Sequence, residues 1–151
     1  MIIHETQVAP EWVDYNGHMN DAAYARVFSQ ACEALIDQIG LDEAGRAHYG
    51  YTIYTLETHL CYRREAHQGQ PLSVDLTLLD SDAKRLHVFF AMFDDEDNLL
   101  ASSEQMLMGM EKATGHPLAF PKPVENCVAK LPQANKDLWP ELAGRTIGIR
   151  R

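Results

Sequence analysis

Between Tyr24 and Ile39, apolar residues recur at the spacing of one helix face. Tyr24, Val27, Phe28, Ala31, Cys32, Leu35, Ile36 and Ile39 follow steps of three and four. Ser29, Gln30, Glu33, Asp37 and Gln38 take most of the remaining surface. Asn20 suits the N-cap, Asp21 suits the positive end of the helix dipole, and Gly40 suits the C-cap. The pattern predicts an amphipathic helix of about five turns. Before it, Ile2 to Val8 reads as a short strand. After it the period falls to two. "TIYTLETHLCYR" (52–63), "LSVDLTLLD" (72–80), "RLHVFFAMF" (85–93) and "LLASSEQMLMGME" (99–111) read as four strands. The third is apolar on both faces and therefore central. Short connections make the consecutive strands antiparallel neighbours. The expected class is α+β, with a long helix wrapped by a curved antiparallel sheet. The whole of 1–151 reads as one domain. Within it, 117–151 is a C-terminal extension, with Val124, Val128 and Leu131 at helical spacing, that packs back on the rest.

Composition narrows the functional classes. A chain of 151 residues with 46% hydrophobic content can bury a core unaided. No stretch approaches the roughly 20 apolar residues of a membrane span. The N-terminal "MIIHETQVAPEW" lacks the basic and apolar regions of a signal peptide, so a cytoplasmic protein with no membrane partner is expected. Cys32, Cys61 and Cys127 are odd in number and widely spaced. That favours reduced thiols and gives no zinc-ligand pattern. A net charge of −9 disfavours nucleic acid as a partner.

The chemistry concentrates in "VDYNGHMNDAAYARVF" (13–28), where Asp14, Asn16, Gly17, His18, Asn20 and Asp21 precede the apolar helix. A helix N-terminus offers unpaired N–H groups, and a glycine before it permits close approach. Such a place can stabilise an oxyanion, with amides of Gly17–Asn20 as donors and Asp14 as nucleophile or general base. Asn16 and His18 can orient groups or hold the loop. The plainer reading of the same residues is a polar loop in which Asp14, Asn16 and Asn20 bond their own backbone.

The stretch "VDYNGHMNDAAYARVFSQA" resembles the signature of hotdog-fold acyl-CoA thioesterases of the 4-hydroxybenzoyl-CoA thioesterase type, through Asp14, Gly17, His18, Asn20 and Tyr24. "TGHPLAFP" and "AGRTIGI" resemble endings of that family. "YTIYTLETHLCYRREAHQGQPL", "LLDSDAKRLHVF" and "LLASSEQMLMGME" are similar to betainyl-CoA thioesterases of carnitine degradation. Those relatives usually carry further histidines where this chain has Phe90 and Gly109. The resemblance implies hydrolysis of a short cationic acyl-CoA. Coenzyme A would be part of the substrate, with no separate cofactor or metal. It also implies a homodimer or higher homo-oligomer with sites at the subunit boundary.

A trimethylammonium acyl group would be held by aromatic faces and negative charge. Tyr15, Tyr24, Tyr54, Tyr62, Glu57 and Glu104 are the candidates, and Lys84 and Arg85, or Arg63, Arg64 or Arg145, could meet the coenzyme A phosphates. In the resemblance, Tyr54, Glu57 or Tyr62 of one copy completes the pocket around Asp14 of another. On strand parity Glu104 shares a face with Leu100, Met106 and Met108, so it needs a partner such as Arg85 or His87, or a ligand. Three alternatives stay open. They are a thioesterase for other short or aromatic acyl-CoAs, a dehydratase pairing Glu33 with His59 or His87, and a non-catalytic acyl-CoA-binding module.

Overall fold

The computed structural model covers residues 1–151. Strand β1 (Ile2–Gln7) leads through a short 3-10 turn and the polar loop into helix α1 (Asp21–Gln38). A second helix, α2 (Glu43–Tyr49), precedes β2 (Tyr51–Tyr62), β3 (Pro71–Ser81), β4 (Arg85–Phe93) and β5 (Leu99–Glu111), and α3 (Lys122–Val128) lies in the tail. The five strands form one antiparallel sheet in the order β1-β3-β4-β5-β2, with β4 at the centre as its two apolar faces predict. This is the α+β hotdog arrangement. No helix is long and apolar enough to cross a membrane.

Helix α1 begins where the sequence says it should. Asn20 Oδ1 accepts from Ala23 N at 2.9 Å, and Asn20 Nδ2 donates to Trp12 O at 2.8 Å, so one side chain caps the helix and ties down the loop. Ile39 ends it, and Gly40 follows at φ +93°, where a glycine meets no steric penalty. Its apolar stripe, including Val27, Phe28, Ala31 and Leu35, is buried against Val74, Leu76, Val88, Phe90 and Leu107 of the sheet. Cutting the fully buried Leu35 back to alanine would cost about 2–5 kcal/mol. The opposite face of the sheet is covered by the tail, where Leu142 packs on Leu79 and Phe89. Phe120, Val124, Val128 and Leu131 join the main core.

Three expectations need correction. Helix α2 is short and buries no residue, so no apolar stripe announces it. Strands β2 and β3 are consecutive but not neighbours, because β2 pairs with β5. Residues 63–70 carry the chain across the end of the sheet. The gap of three strand spacings is about 14 Å, well within the reach of eight residues. Finally, the register of β5 shifts opposite Met92/Phe93. The shift turns Leu100 into the main core, away from the face that carries Glu104.

Candidate active site

The β1–α1 loop, the 63–70 crossing and the start of α1 meet at one end of the sheet. The loop is locked from within. Asp14 N donates to His18 O and Gly17 N donates to Asp14 O, with Gly17 at φ +75° making the reversal. Asp14 Oδ1 accepts from Asn16 N at 2.8 Å and His18 N at 3.2 Å. Met19 N donates to Ala66 O, Gln68 N to Gly17 O, and Asn20 N to Trp12 O. The amides of Gly17, His18, Met19 and Asn20 are therefore all engaged inside the chain. They are not open oxyanion donors, which corrects that expectation. The plainer reading of Asp14 and Asn20 as turn and cap residues describes these contacts. It leaves Asp14 Oδ2 without a partner, on an exposed side chain. The N–H of Asp21 is also unpaired, since the first residue of a helix has no intrahelical acceptor.

Beside this loop lies a cavity of about 310 Å³ lined by Met19, Asp21, Tyr24, Tyr62, Arg63, Arg64 and Glu65. Tyr24 and Tyr62 meet edge to face, with ring centroids 5.3 Å apart and planes at 89°. The Tyr24 hydroxyl donates to Arg64 O at 3.0 Å and accepts from Ala66 N at 3.1 Å. Burial raises its pKa above the ordinary phenol range, against the opposing pull of the Ala66 amide. Tyr62 is half exposed and donates weakly to Asp21 O at 3.4 Å. Asp21 and Glu65 add two carboxylates. Arg63 and Arg64 supply cations that no carboxylate pairs in a salt bridge.

Other candidates lie elsewhere in the protomer. Tyr15 is 97% exposed, and Asn16 points to solvent. A bulge at Leu56 reverses the parity of β2, so Tyr54 and Glu57 lie across the sheet from Tyr62. Glu104 faces the tail. Its Oε2 sits 2.7 Å from His87 Nε2, and its Oε1 accepts from Gly144 N at 2.7 Å. These contacts make it a clasp for the C-terminal segment, and Arg85 is not its partner. Arg85 instead pairs with Asp82 in the β3–β4 turn, with Nε 2.7 Å from Oδ2, holding the Asp82 carboxyl down at about 2. Lys84 neighbours it, at the end of the sheet remote from Asp14. Arg145 lines the tail-side cavity with Glu104.

A dehydratase pair is not assembled in the protomer. Glu33 lines the cleft between α1 and β2, whereas His59 and His87 line the cavity on the other face of the sheet. Cys32 lines the same α1–β2 cleft, where burial, with Glu33 beside it, pushes its thiol up to about 11. Phe90 fills the core against Phe28, and Gly109 leaves room for the Tyr51 phenol. Sequence reading placed Glu65 and His67 in a plain turn. Their contact with His18 spans nearly fifty residues and leaves no local pattern.

Residues 8–128 match the thioesterase-like superfamily. The betainyl-CoA thioesterase of Pseudomonas aeruginosa is 42% identical over 148 residues, covering 97% of this chain and 93% of that one. An L-carnitine dehydrogenase/betainyl-CoA thioesterase of Rhizobium meliloti is 36% identical over 97% of this chain, which spans 30% of that protein. A Staphylococcus aureus protein solved in complex with CoA superposes with a TM-score of 0.91 at 32% identity, over 99% of this chain and 96% of that one. A hotdog sheet, an Asp-containing loop before the central helix and these likenesses agree: the chain belongs to the thioesterase-like superfamily.

Proposed function

We propose that this thioesterase hydrolyses a short cationic acyl-CoA, betainyl-CoA, to betaine and coenzyme A in the cytoplasm. The observation that carries the reading is the Tyr24–Tyr62 pair flanked by Asp21 and Glu65 at the start of α1. A trimethylammonium group has no N–H to donate. Aromatic faces and nearby carboxylates are what can hold it, each desolvated aromatic contact contributing up to about 2 kcal/mol. The name of the 42% identical relative supports the same substrate. Three free cysteines accord with a reducing compartment.

In this reading the thioester carbonyl points its oxygen at the open Asp21 amide and the positive end of α1. Asp14 uses Oδ2, the oxygen its loop leaves free. Either Oδ2 attacks the acyl carbon, expelling the coenzyme A thiolate and leaving an anhydride that water cleaves, or it takes a proton from water as that water attacks. His18 and Asn16 hold the loop through their amides. Tyr15 closes over the acyl group from its exposed position, and Arg63 and Arg64 meet the coenzyme A phosphates. No cofactor takes part. The exposed residues of β2 are covered by a second copy, which brings Tyr54, Glu57, Lys84 and Arg85 nearer the neighbouring site, while Glu104 stays with the tail.

Asp14→Asn is expected to lower kcat about 10²–10⁴-fold with the fold intact. Unchanged kcat would remove Asp14 from the chemistry, and a parent that binds the substrate without hydrolysing it would be a binding module. The cation is tested with tert-butylacetyl-CoA, the neutral carbon analogue of betainyl-CoA. Its kcat/KM should fall at least about tenfold, and Tyr62→Leu should penalise betainyl-CoA more than the analogue. Equal rates for the two substrates would favour a thioesterase for other short acyl-CoAs.

A further inference from the structure

His18, Glu65 and His67 come from two separate segments yet converge on one spot. The backbone puts them there. Met19 N donates to Ala66 O at 2.8 Å and Gln68 N donates to Gly17 O at 3.2 Å. His18 and His67 are thus the directly opposed, non-hydrogen-bonded pair of an antiparallel bridge, the arrangement that brings side chains closest. Their rings meet edge to face, with centroids 4.9 Å apart. Glu65 lies two residues before His67 and so shares its side of the strand. Between them Ala66 is fully buried and pinned at both backbone atoms, its N–H by the Tyr24 hydroxyl and its carbonyl by Met19. The Glu65 Oε2 atom is 3.2 Å from His18 Nδ1. One donor atom from each of the three residues lies within 4.8 Å of the other two.

We propose that His18, Glu65 and His67 bind a single zinc ion (Zn²⁺), with water completing a tetrahedral shell. Two imidazoles and one carboxylate match the borderline character of zinc, and three protein ligands plus water is the usual composition of an open zinc site. Zn–N and Zn–O distances of about 2.0–2.1 Å require the donors to stand roughly 3.3 Å apart. The exposed Glu65 and His67 side chains can close the remaining distance by rotation, while the bridge holds their backbones. Glu65 also lines the pocket assigned above to the cationic acyl group, and a bound zinc would take that carboxylate from it, so the zinc site is tested by binding alone, without acyl-CoA.

The test is competition for zinc against a chromophoric chelator at about pH 7.5. The expected result is one zinc per protomer, with affinity falling at least about tenfold in His67→Ala and in Glu65→Gln. Each variant should melt within a few degrees of the parent, since both side chains are exposed. No uptake by the parent, or uptake that neither substitution weakens because the cysteines supply it, would overturn the site.

Discussion

Asp14 shows how one side chain serves two ends. Its Oδ1 holds the loop by accepting two amides, and its Oδ2, without a partner, is the oxygen the proposed hydrolysis uses. Tyr24 is similarly double. Its ring faces the cavity while its hydroxyl joins α1 to the backbone at Arg64 and Ala66. Tyr24→Phe would keep the ring but strand the buried Ala66 amide, at a cost of about 1–3 kcal/mol. A chain of this size should then lose roughly 2–10 °C in melting temperature, measurable by calorimetry. The prediction fails if the variant melts with the parent. The cap at Asn20 and the place of Tyr24 on the buried helix stripe were legible in the sequence, because capping and helix spacing are local, whereas the hydroxyl bridge to Arg64 and Ala66 was not. The use of the Gly17–Asn20 amides was not, because two of their acceptors, Trp12 O and Ala66 O, lie outside the motif.

Among the elements, β2 departs furthest from its pattern. Alternation located it to within a residue at each end but could not reveal the bulge at Leu56, because an inserted residue changes facing without changing composition. Parity for Glu104 failed for the same reason at Leu100. Pairing of β2 with β5 rather than β3 also lay beyond local pattern, and the resulting crossing is what delivers Arg63 to His67 to the head of α1. At the other end of the same pair of strands, Gly109 is required by Tyr51. A Cβ there would stand 1.6 Å from the Tyr51 hydroxyl, which donates to Leu118 O at 2.6 Å. Gly109→Ala must push out a buried ring and break that bond, costing about 1–3 kcal/mol. Denaturant unfolding should show the loss, and Gly109→Ala combined with Tyr51→Phe should recover part of it, since the clashing oxygen is then gone.

For the whole molecule, the outer strand leaves Tyr54, Leu56 and Tyr62 about half exposed along one edge. Light scattering should give about twice the 17.0 kDa of the chain, and Leu56→Lys should shift the population toward the single-chain mass. A monomeric parent would refute the shared site. The overall architecture was the most legible level, since one strong helix and four strands, one of them apolar on both faces, leave few ways to bury a single apolar stripe. The expectation of a homodimer came from the family resemblance and not from local pattern, because an edge strand's periodicity does not say what lies beside it. That unfinished border has a practical corollary. It carries few of the guards that keep a lone strand from recruiting strangers, with Glu57 as its main charge. Parting two such borders at unchanged protein concentration should therefore yield turbid or fibrous material sooner than a well-behaved half-enzyme.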